Sequence, residues 1–258
     1  MFRDMGDAAG ALARMATYAS ASSRERPRDL PQLEAHLQPL PDDYLPLRAY
    51  LAQHGIPFPD AALVKTRDSL TEINGSLGFP LVMKATHLLH KSDEGGVVTG
   101  IEDTECLQTT WKQMAQKFGS ENLCLEQQYP VAQGVELLAG IKIDPRFGPV
   151  ITVGLGGIYV EVFKQVAVAL APADEDTIRK LIASLPGAAL LDGARGRPAL
   201  DTRAAARLIT ILADIACKHR HEIESLEINP LLVLEDQAIA LDARAILNHG
   251  NPANRRVA

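Results

Sequence analysis

Three strand-like stretches follow one another between residues 134 and 170, and no helical pattern separates them. They cover residues 134–143, 149–153 and 158–170, and a turn rich in Asp, Pro and Gly at 144–149 joins the first two. Elsewhere, helical and strand-like patterns alternate. Because a doubly wound parallel sheet needs a helix after nearly every strand, this order predicts an α+β fold instead.

The other elements are predicted from hydrophobic periodicity and from Gly, Pro and Asp at their boundaries. We predict helices at about 43–54, 104–118, 174–184 and 201–219, and a further helix that Asp68 or Ser69 caps before the strand at 80–84. The other strands are predicted at 97–101 and 122–127, with a final hairpin of 225–234 and 238–243. Before them, residues 1–41 combine a short amphipathic helix with a linker rich in Pro and Ser.

The composition excludes several classes of protein. The chain has 26 Lys and Arg against 32 Asp and Glu, a net charge of −6, so it is not expected to bind nucleic acid or anionic membranes generally. No apolar run approaches the roughly 18 residues that span a bilayer, and no signal peptide is visible. The three cysteines are widely spaced, as in proteins of a reducing compartment. We therefore expect a soluble, cytoplasmic protein.

The glycine motifs bear on nucleotide binding. The chain lacks the GxxxxGK[ST] pattern of a P-loop. The run Gly154-Leu155-Gly156-Gly157 contains GxG, but Tyr159 stands where a dinucleotide-binding motif has its third glycine, and a strand-like stretch follows instead of a helix. Gly156 and Gly157 therefore indicate either a backbone that approaches an anion closely or a simple tight turn.

Polar and apolar side chains alternate in the final hairpin, so Glu227 and Asn229 share one face of their strand. If residues 235–236 form a two-residue loop, Asn229 lies directly opposite Asp242, with Cβ atoms about 4.5–5.5 Å apart. Carboxylate and amide oxygens suit Mg²⁺ held together with water and phosphate. The alternative is a solvated polar face. Pro230 removes one donor from the ladder, which indicates an edge strand or a bulge.

A third cluster surrounds Lys84, which ends an apolar strand and needs an anionic partner there. His90 and Lys91 follow, next to a turn at Gly95 and Gly96. Cationic and donor groups beside a Gly-Gly turn indicate a loop that faces phosphate. His90 is either a phosphoryl acceptor, since imidazole is a competent nucleophile at neutral pH, or a loop or capping histidine.

Short motifs follow one another in a distinctive order along the chain. They are the Lys84 strand, HKSDEGGV at 90–97, LEQ at 125–127, GVE at 134–136, DPRFGP at 144–149, GLGGIYVE at 154–161, LAP at 170–172, GARGRP at 193–198, LEINP at 226–230 and LDAR at 241–244. This ordered set resembles the ATP-grasp domain of the nucleoside-diphosphate-forming acyl-CoA synthetases, relatives of succinyl-CoA synthetase. The resemblance implies two subdomains that clasp ATP, at 42–125 and 126–247, with a tail at 248–258.

The resemblance also implies which residues contact the nucleotide. Lys84 corresponds to the lysine on the α- and β-phosphates of ATP. Glu126 and Gln127 correspond to the hinge at the adenine, and Glu136 to the acidic residue near the ribose. The other residues implied at the ATP or ADP site are Lys91 and the glycines whose backbone N–H groups would approach phosphate, Gly95, Gly96, Gly156 and Gly157.

For the reaction itself, the resemblance implies Mg²⁺ bound by Asn229 and Asp242, with Glu227 close by. Phosphate passes between acyl-CoA and nucleotide through a phosphohistidine on a CoA-binding part. We find no such part in this sequence, so a CoA-binding partner subunit or domain is expected. His90 is implied at the transfer together with Lys84, because it resembles a second histidine proposed to relay phosphate near ATP.

The resulting hypothesis is the ATP-binding half of an ADP-forming acid–CoA ligase, which interconverts acyl-CoA, ADP and phosphate with acid, CoA and ATP. A non-catalytic alternative is the ligand-sensing domain that occurs fused in protein lysine acetyltransferases. A third hypothesis is a carboxylate–amine ligase of the wider ATP-grasp group, which would use an acyl phosphate. The intact Lys84, Asn229 and Asp242 favour the enzyme over the sensor.

Overall fold

The computed structural model describes residues 29–31, 37–64, 66–88, 91–157, 166–193 and 196–248. Within these ranges the α-helices are α1 Tyr44–Gln53, α2 Ser69–Leu77, α3 Thr104–Phe118, α4 Glu175–Ala183 and α5 Thr202–Lys218. The strands are β1 Ala61–Leu63, β2 Leu81–Ala85, β3 Val97–Ile101, β4 Leu123–Gln127, β5 Val135–Asp144, β6 Gly148–Leu155, β7 Val166–Leu170, β8 Ile223–Val233, β9 Ala238–Ala240 and β10 Ala243–Leu247. They form two antiparallel sheets, which confirms the predicted α+β class.

The smaller sheet has the strand order β1-β4-β2-β3. Leu81 and Met83 of β2 face a core shared with α2 and α3. Side chains alternate along a strand, so Val82 and Lys84 lie on the opposite face. Because Val82 pairs with Glu126 of the antiparallel β4, Glu126 lies on that face too. A lysine and a glutamate therefore share the face directed away from α2 and α3.

The larger sheet has the order β10-β8-β5-β6-β7, and β9 pairs with the far end of β8. One face packs against α1, α4 and α5 in a core that includes Leu137, Ile151 and Leu212. Burial alternates along β5. The opposite face carries Glu136 and, across the ladder, Glu227, and both side chains are only half-buried.

Helix α1 precedes the smaller sheet in the sequence but packs against the larger core. Leu47 and Leu51 are fully buried there, and the Tyr50 hydroxyl hydrogen-bonds to His219 Nε2 at 2.8 Å. An apolar stripe predicts that a helix is buried but does not specify which core buries it. The first predicted subdomain, 42–125, therefore contributes its first helix to the core of the second.

Helix boundaries follow from local capping. Asp103, Asp174 and Asp201 each accept a hydrogen bond of 2.8 Å from the backbone N–H three residues later, at the starts of α3, α4 and α5. Gly119 ends α3 with a φ of 83°, a conformation that glycine adopts readily. These signals explain why the predicted bounds of α3, α4 and α5 agree with the structure to within one residue.

Three predicted elements differ from the structure or are not described in it. The second strand of the final hairpin is two strands, β9 and β10, because Pro230 has no N–H to donate to Leu241 opposite it. Only the end of the stretch 158–170 is described, as β7, and the predicted N-terminal amphipathic helix lies outside the described residues. No helix in the described ranges is long and apolar enough to cross a membrane.

Candidate functional site

The site is centred on Lys84, near the end of β2. Lys84 Nζ lies 2.8 Å from Glu126 Oε2 of β4, and the two residues are 6% and 1% exposed. The sequence predicted that an ammonium at this position needs an anionic partner, and the structure supplies it from the neighbouring strand. A buried ion pair of this kind is stable only with further hydrogen bonds around it.

Those further bonds come mainly from α1. The Arg48 guanidinium forms an ion pair with Glu126 Oε1, and the Tyr44 hydroxyl donates to the same oxygen at 2.7 Å. The Cys124 thiol donates to it at 3.7 Å. Burial, followed by the negative charge of Glu126, raises the pKa of Tyr44 well above its ordinary value, so the hydroxyl stays protonated and remains a donor.

Two lysines of the smaller sheet and its loop reach the final hairpin. Lys84 Nζ donates to the carbonyl oxygen of Leu241. Lys91 Nζ lies 3.0 and 3.1 Å from the two carboxylate oxygens of Asp242 and 4.3 Å from the centroid of the Tyr44 ring. Lys91, expected at the nucleotide phosphates, and Asp242, expected at the metal, therefore meet between the two sheets.

The charges in this cluster do not cancel. Arg48, Lys84 and Lys91 carry three positive charges, and Glu126 and Asp242 carry two negative ones. All three cations are buried, where an uncompensated charge interacts strongly with any anion that enters. The arrangement thus attracts an anionic group, and a polyphosphate would supply the missing negative charge.

The hairpin has the predicted register. The loop at 235–236 joins β8 to β9, and the same register continues from β9 into β10. Asn229 therefore lies opposite Asp242, and its N–H donates to the Asp242 carbonyl oxygen at 3.1 Å. Strand β8 is not an edge strand, because β5 and β10 flank it. The register between β8 and β5 shifts beside Asn229 and Pro230. Of the two interpretations of Pro230, an edge strand or a bulge, the bulge is therefore correct.

The oxygen donors at this point fit Mg²⁺ bound together with phosphate. Within the described ranges, no three His, Cys, Asp or Glu side chains gather closely enough to hold a metal alone. In phosphate-transfer sites, however, Mg²⁺ usually binds one or two carboxylates plus the phosphates. Asp242 and Asn229 provide such a set. Glu227 lies 2.9 Å from Arg244, which balances its charge.

The turn at Gly95 and Gly96 uses its own N–H groups. Gly96 N–H donates to the Lys91 carbonyl at 2.6 Å, and Gly95 N–H donates to Ser92 at 3.1 Å. A Cβ at Gly96 would lie 2.5 Å from Leu88 Cδ1 and 3.0 Å from the Lys91 carbonyl oxygen, so a side chain there would force Leu88 to move. We expected these N–H groups to approach phosphate, whereas they close the turn that begins at Lys91.

The second glycine pair packs against Glu136. Gly156 N–H donates to the Glu136 carbonyl at 2.6 Å, and a Cβ at Gly157, whose φ is 58°, would lie 2.0 Å from Glu136 Oε2. The backbone at Gly156 and Gly157 therefore approaches an anion, as the sequence allowed, but that anion is the Glu136 carboxylate of the protein itself. Burial raises the pKa of Glu136 above its ordinary value.

The raised pKa of Glu136 predicts a pH-dependent gain in stability for Glu136→Gln. When the pKa of a carboxyl is higher in the folded state than its unfolded value of about 4.3, ionisation of that carboxyl lowers the stability as pH rises from the unfolded pKa through the folded one. The variant lacks this cost, so we expect its melting temperature to exceed that of the wild type by about 1–3 °C at pH 7 and to equal it at pH 4. The exposed Glu224→Gln in β8 is the matched control. Equal shifts at both pH values would contradict the prediction.

The remaining predicted residues lie at the edge of the cluster or outside the description. Gln127 is exposed at the end of β4, and its N–H donates to Asp60 at 3.0 Å. The Glu126 side chain is committed to Lys84 and Arg48, and its backbone lies between β1 and β2 in the sheet. His90 lies outside the described residues.

Sequence analysis did not single out Tyr44 or Arg48. A signal for them exists: the buried positions 44, 47, 48 and 51 of α1 form an i, i+3, i+4, i+7 stripe, and Arg48 is the one charged member. A charge on the buried stripe of a helix needs a partner in the core. That partner, Glu126, lies 78 residues away in the sequence.

Known proteins match most of this chain. A family model described as an ATP-grasp domain matches residues 46–247. The acetate–CoA ligase [ADP-forming] I subunit beta of Pyrococcus furiosus is 32% identical over 76% of this chain and 88% of its own length. The 4-hydroxybutyrate–CoA ligase [ADP-forming] of Nitrosopumilus maritimus is 34% identical over 72% of this chain, but only 27% of that longer protein is matched.

A solved structure resembles the fold as well. It is the dinucleotide forming acetyl-coenzyme A synthetase 1 of Candidatus Korarchaeum cryptofilum, in complex with coenzyme A and Mg-AMPPCP, with its phosphohistidine segment pointing towards the nucleotide binding site. The TM-score is 0.67 at 29% identity, and the match covers 78% of this chain and 91% of that chain.

Proposed function

Because this chain belongs to the ATP-grasp domain family, we propose that it is the nucleotide-binding, phosphoryl-transferring part of an ADP-forming acyl-CoA synthetase. The complete reaction is acyl-CoA + ADP + phosphate ⇌ acid + CoA + ATP. The observation that carries the proposal is the convergence of buried Lys84 and Lys91 on the hairpin at Asp242, with one positive charge in excess. Beta-subunit relatives at 32% and 31% identity support the same reaction class.

In this proposal each part of the cluster has a role toward ADP or ATP. Lys84 and Lys91 neutralise phosphate oxygens, and Asp242 and Asn229 would hold Mg²⁺. The metal, when bound, would spread the charge that develops on the β- and γ-phosphates. Gln127, exposed at the end of β4, faces the adenine, and Glu136 faces the ribose. The turns at Gly95, Gly96, Gly156 and Gly157 fix Lys91 and Glu136 at the edges of the nucleotide.

The proposal includes a partner. In the transfer step, the P–N bond of a phosphohistidine breaks as a β-phosphate oxygen of ADP forms the new P–O bond. We assign the main phosphohistidine to a CoA-binding subunit or domain outside residues 46–247, and His90 to a relay position beside the nucleotide. The relatives support this division, since one is named as a beta subunit and another is a much longer chain.

The ligand-sensing alternative is not favoured. Lys84 and Lys91 both reach the final hairpin, at Leu241 and Asp242, and the relatives are ligases. A carboxylate–amine ligase would share the ATP-binding cluster but would need no phosphohistidine. Transfer of phosphate to or from a histidine therefore separates the proposed function from both alternatives.

The experiment is the half-reaction with a phosphorylated partner. A CoA-binding subunit that carries radiolabelled phosphate on its histidine is mixed with this chain, Mg²⁺ and ADP, and labelled ATP is measured. We expect labelled ATP only when this chain is present, and no acyl-CoA synthesis from this chain alone. Failure to form ATP with the partner, or complete turnover without it, would overturn the proposal.

A further inference from the structure

Helix α1 contributes two polar side chains to the centre of the site. Tyr44 and Arg48 stand four residues apart, so they lie on the same face of the helix, and each is 5% exposed. The Tyr44 hydroxyl donates to Glu126 and accepts from Lys84 Nζ at 3.2 Å. Arg48 pairs with Glu126 and also donates to the Pro59 carbonyl.

The same helix is anchored to the other sheet. Leu47 and Leu51 are buried in the larger core, and the hydroxyl of Tyr50 bonds to the buried His219 after α5. Tyr44 and Arg48 are therefore held relative to the larger sheet, while Glu126 and Lys84 belong to the smaller one. The helix connects the position of the lysine to that of the hairpin.

The two carboxylate oxygens of Glu126 have different partners. Oε1 accepts from Arg48 and Tyr44, whereas Oε2 accepts from Lys84. An ammonium has three N–H donors, and those of Lys84 meet Glu126, Tyr44 and the Leu241 carbonyl. Two of the three contacts hold the lysine in place, and the third points at the hairpin next to Asp242.

We propose that Tyr44 and Arg48 are positioning residues that orient Lys84, through Glu126, toward a nucleotide phosphate. Arg48 and Tyr44 bind Glu126 Oε1, so the carboxylate meets Lys84 through a single oxygen. The third lysine donor then exchanges the Leu241 carbonyl for a phosphate oxygen. Tyr44 also presents its ring face to the Lys91 ammonium at 4.3 Å. The inference rests on the proposed function and extends it to residues of α1.

The test is a comparison of affinities for ligands with and without phosphates. Tyr44→Phe removes the hydroxyl but keeps the ring under Lys91. We expect its Kd for Mg·ADP to rise about tenfold, as for loss of a hydrogen bond to a charged group, while its Kd for adenosine stays unchanged. Tyr50→Phe is the matched control, because it removes a buried hydroxyl bond from the same helix while Leu47 and Leu51 still hold the helix in the larger core. It should change neither Kd. Arg48→Lys keeps the positive charge at this position, so it should lower the affinity for ADP less than Arg48→Met does.

Calorimetry with ADP and ligand-observed NMR with adenosine give the required constants. If the wild type binds Mg·ADP and Tyr44→Phe binds it equally well, the positioning role is wrong and the proposed function stands. If Tyr44→Phe and Tyr50→Phe lose ADP and adenosine affinity alike, the effect is structural and the positioning role is again wrong. If the wild type does not bind Mg·ADP, the proposed function fails and this inference fails with it.

Discussion

Glu126→Gln lowers the free energy of unfolding by about 3–5 kcal/mol, the largest stability effect that we expect in this chain. The substitution keeps the size of the side chain but leaves Arg48 and Lys84 as buried cations without their carboxylate. Removing one partner of a buried ion pair costs this much because the remaining charge is neither paired nor hydrated. The melting temperature should fall by about 6–20 °C.

Urea denaturation followed by circular dichroism measures this effect. Glu102→Gln is the matched control, since Glu102 is exposed just after β3 and its substitution should leave stability unchanged. The double variant Arg48→Met, Glu126→Gln should be less destabilised than the sum of the two single variants, because one uncompensated charge is removed. Equal stability of Glu126→Gln and Glu102→Gln would show that the ion-pair network does not hold the site together.

Asp242→Asn should reduce phosphoryl transfer by about 100- to 1,000-fold, because a bound metal contributes several kcal/mol of charge stabilisation in such reactions. The amide oxygen can still accept the hydrogen bond that Ala243 N–H donates to Asp242 Oδ1 at 2.8 Å. It cannot balance the Lys91 ammonium or supply a carboxylate to Mg²⁺. We therefore expect a folded protein whose remaining activity no longer depends on the Mg²⁺ concentration.

The measurement is ATP formation from a phosphorylated partner over a Mg²⁺ titration, beside a thermal melt of each variant. Asp236→Asn is the matched control, because Asp236 lies in the exposed loop of the same hairpin and has no contact with either lysine among the described hydrogen bonds and ion pairs. Wild-type activity and Mg²⁺ dependence in Asp242→Asn would exclude Asp242 as the metal ligand.

The local parts of the fold and of the site were predictable from the sequence. Strand β3 and helix α3 have the predicted bounds, because Gly and Asp mark their ends. The position of Asn229 opposite Asp242 followed from a two-residue loop and the period of a strand. Each of these features depends on residues that are close together in the chain.

The network around Glu126 was not predictable in the same way. Arg48 and Tyr44 are 78 and 82 residues from Glu126, and Lys91 is 151 residues from Asp242. Periodicity shows that a helix face is buried but does not show which of two apolar cores receives it, and α1 packs against the core that comes later in the chain. The partners of buried charges depend on that choice, so they emerge only from the folded structure.

Isothermal titration calorimetry of ADP into this chain tests the central claim most directly, namely that Lys84, Lys91 and the hairpin at Asp242 form a nucleotide site. We predict binding of one nucleotide per chain, with an affinity that falls steeply when a chelator removes Mg²⁺. In Asp242→Asn, the affinity for ADP should no longer depend on Mg²⁺. No binding at millimolar ADP with Mg²⁺ present, or equal affinity with and without Mg²⁺ in the wild type, would contradict the account.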